Sequence, residues 1–165
     1  MADLLVKLYE LPPLEPYMEA LAQQNIVVRR PIGPENYAVI SWIKQHFTSG
    51  WAGEAENAFF RLPKSMYIAI RPTEDQSWEM LGFGCWDATV KGFFGPTGVD
   101  EKERGKGIGA AILLSCLHAM KDDGYAYCII GGAGDKELFY KKVCNAQLIE
   151  DSTPGIYKGM LYLQD

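Results

Sequence analysis

Apolar and polar positions change period several times along the chain, and each change marks an element. Leu4 to Tyr9 is a short apolar run that reads as a strand and is stopped by Pro12-Pro13. Pro16 to Gln24 follows as a helix with Tyr17, Ala20 and Leu21 on one side, and residues 1–25 together read as an N-terminal appendage. Ile26 to Arg30 predicts a strand. Gly33-Pro34 then opens a helix, because proline at the first helical position gives up a donor that lacks a partner there anyway, and Ile40, Ile43 and Phe47 line one face. Thr48-Ser49-Gly50 breaks it, and a second helix runs from about Trp51 to Leu62, where Pro63 ends it. Met66 to Ile70, Trp78 to Asp87 and Lys91 to Val99 predict three strands of an antiparallel meander. From Gly105 the period becomes helical, and Ile108, Ala111, Ile112, Ser115 and Ala119 face one way while Leu113, Leu114, Leu117 and Met120 face the other. A helix apolar on most sides is a buried one. Asp122-Asp123-Gly124 closes it, Tyr125 to Ile130 is a nearly unbroken apolar strand, Asp135 to Cys144 a short helix, and Tyr157 to Leu163 a last strand.

After the appendage the order is β α α β β β α β α β, which places the chain in the α/β (α+β) class as one domain over residues 1–165. Composition agrees with that reading. With 165 residues, 48% of them hydrophobic and 12% aromatic, the chain fills a core without disulfide staples. Cys85, Cys116, Cys128 and Cys144 are widely spaced in apolar surroundings with no CxxC pair, so they are expected to be reduced core thiols of a cytoplasmic protein; no metal is expected. No apolar run nears the ~20 residues of a membrane span, and the Met1-Ala2-Asp3 start lacks a basic region leading into an apolar one. Sixteen basic residues against 21 acidic ones, a net charge of -5, argue against a nucleic-acid partner and favour a small cationic one.

The most specific chemistry lies in Val99-Asp100-Glu101-Lys102-Glu103-Arg104-Gly105-Lys106-Gly107-Ile108-Gly109, a strand end followed by alternating glycines that run into the buried helix. Glycine lets backbone approach an anion, the first helical turn has unpaired N–H groups, and the helix dipole adds positive potential. Arg104 and Lys106 add full charges. The spacing is neither that of a Walker loop nor that of the Rossmann fingerprint. A glycine-rich turn carrying solvated basic residues is the alternative. Upstream, Gly95-Pro96-Thr97-Gly98-Val99 sits inside a strand, where proline cannot donate to a ladder and the flanking glycines predict a bulge. A bulged strand exposes backbone groups to which an amide-bearing ligand can add as a further strand; an ordinary edge strand is the alternative. Phosphates at one end and a peptide-like arm at the other describe coenzyme A.

Arg104-Gly105-Lys106-Gly107-Ile108-Gly109 resembles the acetyl-CoA motif (Arg/Gln-x-x-Gly-x-Gly/Ala) of the GNAT superfamily of N-acetyltransferases, and Leu138-Phe139-Tyr140-Lys141-Lys142 with Asn145-Ala146 resembles its Phe-Tyr-x-x-x-Gly-Phe/Ala helix. The matches cover roughly residues 91–163. Gly92 to Val99 and Ser152-x-Pro154-Gly155-Ile156-Tyr157 are similar to a broad group of bacterial members with unassigned substrates. The resemblance implies a central mixed β-sheet with a bulged, splayed strand flanked by helices, and acetyl-CoA as co-substrate. It implies that the backbone of Thr97, Gly98 and Val99 binds the pantetheine arm, that Arg104, Gly105, Lys106, Gly107, Ile108 and Gly109 hold the pyrophosphate, and that Tyr140 is the acid serving the departing thiolate. A core tyrosine is the alternative for Tyr140. Many members carry an asparagine after the fifth core strand; here Gly131-Gly132-Ala133-Gly134 stands there, so backbone is expected to replace that contact.

Acetyl transfer to an amine needs a proton acceptor, since an alkylamine of pKa about 10 is mostly protonated at neutral pH. Relatives often use a glutamate on a splayed strand, but Tyr125 to Ile130 holds no acid and Cys128 lies near the usual place. Asp87 is the leading candidate base, with turn capping as its alternative. His46 follows, near the break between the early helices, with a surface histidine as its alternative. His118 lies about eleven helical residues, roughly 16 Å, from the cradle and is set aside. Trp42, Phe47, Trp51 and Phe60 line either an acceptor pocket able to hold a cation or simply the core; Glu54 and Glu56 either attract an amine or form a solvated face. The expected activity is N-acetylation of a primary amine of a small molecule by direct attack on acetyl-CoA. A non-catalytic acyl-CoA sensor and a protein or peptide N-acetyltransferase are the alternatives, no nucleic acid or membrane partner is expected, and a homodimer is an allowed assembly.

Overall fold

A computed structural model describes residues 1–162. The strands β1 (Leu4–Lys7), β2 (Val27–Arg29), β3 (Met66–Pro72), β4 (Trp78–Trp86), β5 (Phe93–Val99), β6 (Tyr127–Ile130) and β7 (Gln147–Leu148) form one sheet in the order β2-β3-β4-β5-β6-β1-β7. The helices are α1 (Glu15–Ala22), α2 (Asn36–His46), α3 (Ser49–Phe59), α4 (Ile108–Asp122) and α5 (Glu137–Cys144). Every neighbouring pair of strands is antiparallel except β5 and β6, which are parallel.

The sheet separates two cores. Alternation along β4 decides which residues serve which: Phe83 and Cys85 join Val39, Ile43, Ala55 and Phe59 of α2 and α3, while Gly82 and Gly84 turn toward α4. A Cβ at Gly84 would lie 2.5 Å from Ile112 Cγ2, so the absence of a side chain lets α4 rest on the β4 backbone. The predicted burial of α4 holds, with ten of its fifteen residues buried, and its one buried hydroxyl, Ser115, donates to the Ala111 carbonyl at 2.7 Å. Thr48 caps α3 by accepting the Trp51 N–H at 3.1 Å. On the α4 side, Arg30 lies over the faces of Tyr67 and Trp86 at 5.3 and 5.0 Å and donates to the Lys64 carbonyl.

Residues 1–25 are not an appendage. β1 lies inside the sheet, pairing Leu4, Leu5, Val6 and Lys7 with Ile130, Ile129, Cys128 and Tyr127 of β6 on one side and Leu4 and Leu5 with β7 on the other. Leu4, Val6, Leu8 and Leu21 are buried in the core around α4. The last strand expected at Tyr157–Leu163 is absent over the described residues: Gly155–Tyr157 is a 3-10 turn and residues 158–162 pair with no strand, Leu163 lying outside the description. The sheet position next to β6 is taken by the N-terminal strand instead. Among the described residues all four cysteines are free and buried, no helix is long and apolar enough to cross a membrane, and no group of three or more His, Cys, Asp and Glu is placed to hold a metal.

Candidate functional site

β5 departs from its neighbours where the glycines and proline predict. It pairs with β4 through Gly82↔Val99, Phe83↔Gly98, Gly84↔Thr97 and Trp86↔Phe94, with the register shifting between Gly84 and Trp86. With β6 it pairs only at Phe93↔Ile129 and Phe94↔Ile130, and beyond Gly95-Pro96 the two strands separate. The Asp100 N–H donates to the Leu81 carbonyl on β4 at 2.8 Å. Strand alternation therefore turns the N–H groups of Val99 and Thr97 the other way, into the opening. The Thr97 hydroxyl is spent on the Phe83 carbonyl at 2.9 Å, which leaves its backbone as the group available there.

The opening leads to the glycine turn. Gly105 and Gly107 have φ of +82 and +87°, a region costly to residues with a Cβ, and Gly107 is the N-cap of α4 without a side-chain cap. Among the described residues no side chain caps the first N–H groups of this 15-residue helix. The turn is braced: Gln24 Nε2 donates to the Lys106 carbonyl at 3.1 Å, and Glu103 accepts from Lys106 at 2.6 Å and from Arg71 at 3.0 and 3.1 Å. Those two cations, Arg71 first, hold the Glu103 carboxyl below its ordinary range. Lys106 is consequently paired with Glu103, and Arg104 is the cation of this turn with no carboxylate partner among the described residues. None of this bracing is apparent in the order of residues; Gln24 comes from the segment set apart as an appendage.

Tyr140 sits on the α4 side of the opening, its ring edge-on to Phe94 at 6.4 Å and to Phe139 at 5.2 Å, and Phe139 in turn approaches Gly109 of the cradle. Burial, with Cys144 nearby as a lesser cause, pushes its pKa up to about 12, so the phenol keeps its proton at neutral pH. Among the described residues its hydroxyl has no hydrogen-bond partner.

Asp87 does not reach the opening. Its buried carboxylate accepts the Gly92 N–H at 2.6 Å and the Tyr125 hydroxyl at 2.9 and 3.1 Å, and lies 3.4 Å from Arg61. Asp87 itself adopts φ +53°, as Asp in a tight turn can. It faces the start of β5, and Val99 lies six residues farther on, roughly 20 Å away along a strand. Its role is to close the β4–β5 turn. Burial drives the Cys128 thiol far above its usual pKa, so it is no base either. The glycine stretch after β6 is also committed: the Gly132 N–H donates to Asp3 Oδ1 at 2.9 Å and the Ala133 N–H to the Ala2 carbonyl at 3.1 Å, so these two groups are not free for a ligand as expected.

Two cavities meet beside the cradle. The smaller, about 260 Å³, is lined by Phe47, Val99, Arg104 and the intervening loop; the larger, about 780 Å³, runs between α2 and the β2–β4 strands past Trp42, Ile68, Ile70, Trp78 and Met80. His46 and Asp100 line both. Of the four aromatics expected at an acceptor pocket, Trp42 lines the larger cavity and Phe47 the smaller, while Trp51 stacks on Phe47 at 5.1 Å and Phe60 is 69% exposed, so those two line neither. Glu54 accepts the Thr89 hydroxyl at 2.6 Å.

The overall fold is shared with solved structures. One, a GCN5-related glucosamine N-acetyltransferase region within a fungal multi-domain GH3 β-N-acetylglucosaminidase, superposes with a TM-score of 0.71 over 90% of this chain at 14% identity. Another, a GCN5-related N-acetyltransferase from Sphaerobacter thermophilus, gives 0.65 over 90% of this chain at 18% identity. The chain has the GCN5-related N-acetyltransferase fold. It spans 19% and 48% of those two chains. No protein-family model and no curated protein sequence matches it.

Proposed function

We propose that the protein transfers an acetyl group from acetyl-CoA to the primary amine of a small molecule. The observation that carries this is the continuity of the opening: the free N–H groups of Thr97 and Val99 lead directly to the uncapped N-terminus of α4 and to Arg104. Acetyl-CoA fits that path, because pantetheine amides match an unpaired strand edge and a pyrophosphate matches outward helix N–H groups beside an unpaired guanidinium. The bound thioester supplies an activated acetyl carbon. In this reading the Val99 N–H polarises its carbonyl, and Tyr140 donates a hydrogen bond to the leaving sulfur. Complete transfer of the Tyr140 proton to a thiolate of pKa about 8.5 is uphill by roughly 3.5 pKa units, so donation rather than full protonation is the role its burial suits.

The larger cavity suits a compact acceptor better than a protein terminus, since its walls mix apolar side chains with a few charged ones, of which Arg29 and Glu35 are already paired at 2.6 and 2.9 Å. One structural neighbour is a glucosamine N-acetyltransferase region, which makes amino sugars a sensible part of the acceptor panel. The test is acetyl-CoA-dependent thiol release with amino sugars, polyamines, aminoglycosides and short peptides, together with calorimetry of acetyl-CoA binding. Binding with turnover on a small amine supports the proposal. Binding without turnover points to an acyl-CoA sensor, preferential acetylation of peptides to a protein acetyltransferase, and absence of binding rejects the cradle.

A further inference from the structure

With Asp87 committed to its turn, the opening needs another proton acceptor, and one pair of side chains stands where both cavities meet. We propose that His46 takes the proton of the acceptor amine and that Asp100 stabilises the imidazolium so formed; this rests on the acetyltransferase reading above. His46 is the last residue of α2. Its Nδ1 lies 2.9 Å from the Trp42 carbonyl oxygen. A carbonyl can only accept, so Nδ1 carries the proton of the neutral ring and Nε2 keeps the lone pair. The ring is further fixed by stacking on Trp42, with centroids 4.1 Å apart and planes 20° from parallel. Nε2 thereby faces Asp100 Oδ2 at 3.6 Å, and Asp100 directly follows Val99, whose N–H points into the opening.

The surrounding charges single out this pair. Across the larger cavity, Arg29 and Glu35 satisfy each other, and Glu79 is held by Arg71 at 2.5 Å. On the loop side, Glu101 adds negative charge near the ring while Lys102 and Arg104 add positive charge, and Lys44 lies on the same helix; Asp100 is the one carboxylate within 4 Å of Nε2 among the described residues. Asp100 is itself oriented by accepting the Lys102 N–H at 3.0 Å. In the step, the amine nitrogen bonds to the acetyl carbon, the carbon–sulfur bond breaks, and its electron pair leaves on sulfur, which accepts the hydrogen bond from Tyr140. The proton released by nitrogen passes to His46 Nε2. With its side chain 31% exposed, His46 then returns the proton to water, and the departing thiolate takes one up in solution.

The test is the pH dependence of kcat/KM for wild type, His46→Gln and Asp100→Asn, with acetyl-CoA affinity measured on each by calorimetry. Wild type is expected to lose activity on an acidic limb set by one group. His46→Gln is expected to lower kcat by about 10²- to 10⁴-fold and to abolish that limb while leaving acetyl-CoA affinity within about threefold. Asp100→Asn is expected to lower kcat by about tenfold with acetyl-CoA affinity unchanged, because the imidazolium formed in the step loses its counter-charge. His46→Ala is expected to regain part of its rate with added imidazole, which a merely structural loss would not allow. Wild-type turnover whose acidic limb survives in His46→Gln overturns this assignment and leaves the acetyltransferase reading standing. Wild-type protein that fails to bind acetyl-CoA, or binds it without turnover on any acceptor, removes both.

Discussion

Gly107→Ala separates the cradle's backbone geometry from its contact with a ligand. The residue is the N-cap of α4 at φ +87°, and a Cβ there meets no atom of the protein within 4 Å. The cost to stability is therefore conformational: a left-handed alanine costs roughly 1–2 kcal/mol, partly offset by the about 0.4–1 kcal/mol that alanine removes from the freedom of the unfolded chain. A net loss of about 1 kcal/mol should lower Tm by about 2–4 °C. Binding should suffer more, because the methyl group projects beside the first helical N–H groups. Displacing one charge-assisted hydrogen bond is worth about 1.5–3 kcal/mol, or about 10- to 150-fold in Kd. Gly124→Ala is the matched control, since Gly124 has φ +98° with no protein atom within 4 Å of its Cβ, and it lies past the far end of the same helix, on the order of 25 Å away. Thermal unfolding and acetyl-CoA calorimetry on both variants decide the matter. Similar Tm shifts with affinity lost only in Gly107→Ala are expected; equal acetyl-CoA affinity in the two variants would refute the cradle.

On the proposed reading, in which Tyr140 donates a hydrogen bond to the leaving sulfur, Tyr140→Phe should lower turnover by roughly tenfold or more with acetyl-CoA affinity unchanged; an unaltered rate removes Tyr140 from the chemistry. Asp87→Asn keeps a side chain that tolerates φ +53° but loses the Arg61 ion pair and the charged acceptor of Tyr125, so urea unfolding should show a loss of about 1–2 kcal/mol while the rate per folded molecule stays the same; a rate drop of 10²-fold would restore Asp87 as a base. Glu35 and Glu103 are held below the ordinary carboxylate range by Arg29 and Arg71, so the stability they contribute is present above the unfolded pKa of about 4.3 and lost as pH falls through their folded values. At the alkaline end Tyr125 and Tyr140, pushed up to about 12, contribute stability that is present below about pH 10 and lost as pH rises through 12. Urea midpoints from pH 3 to pH 12 should therefore trace a plateau with both flanks falling, and Glu35→Gln should flatten the acidic flank.

The features that local chemistry dictates are legible in the order of residues. Period changes place α2 to α5 and β2 to β6 within a few positions, and the alternating glycines mark the turn that opens α4, since both signals depend only on near neighbours. What the order of residues hides depends on distant parts of the chain. The glutamate shared by Arg71 and Lys106, the Gln24 amide on the Lys106 carbonyl and the meeting of His46 with Asp100 each join residues from separate elements. Asp87 misleads for a related reason: a carboxylate at a strand end looks the same in sequence whether it faces a cleft or caps a turn, and the partners that decide, Tyr125 and Arg61, lie 38 and 26 residues away.

The N-terminal strand is the largest of these long-range effects, and its removal gives a decisive experiment. β1 lies between β6 and β7, and Leu4, Val6 and Leu8 are each no more than 1% exposed. At about 1.5–3 kcal/mol for each fully buried side chain, these three contribute roughly 4.5–9 kcal/mol, which is comparable with the roughly 5–15 kcal/mol that holds a whole domain together. Deleting residues 1–8 should therefore abolish cooperative unfolding, whereas an appendage could be removed with no change in Tm. The same strand also shapes the site. It pairs with β6 along four residues, and Ala2 and Asp3 take the N–H groups of Ala133 and Gly132, so the wall of the opening opposite β5 is fixed by the start of the chain. Asp3→Ala tests that link without removing the strand: it removes the acceptor of the half-buried Gly132 N–H at a cost of about 1 kcal/mol, and it should weaken acetyl-CoA binding although Asp3 lies outside the proposed cradle. Full affinity in Asp3→Ala, at a stability lowered by that amount, would show that the β6 wall is held independently of the N-terminus and that only β5 and the α4 start define the coenzyme path.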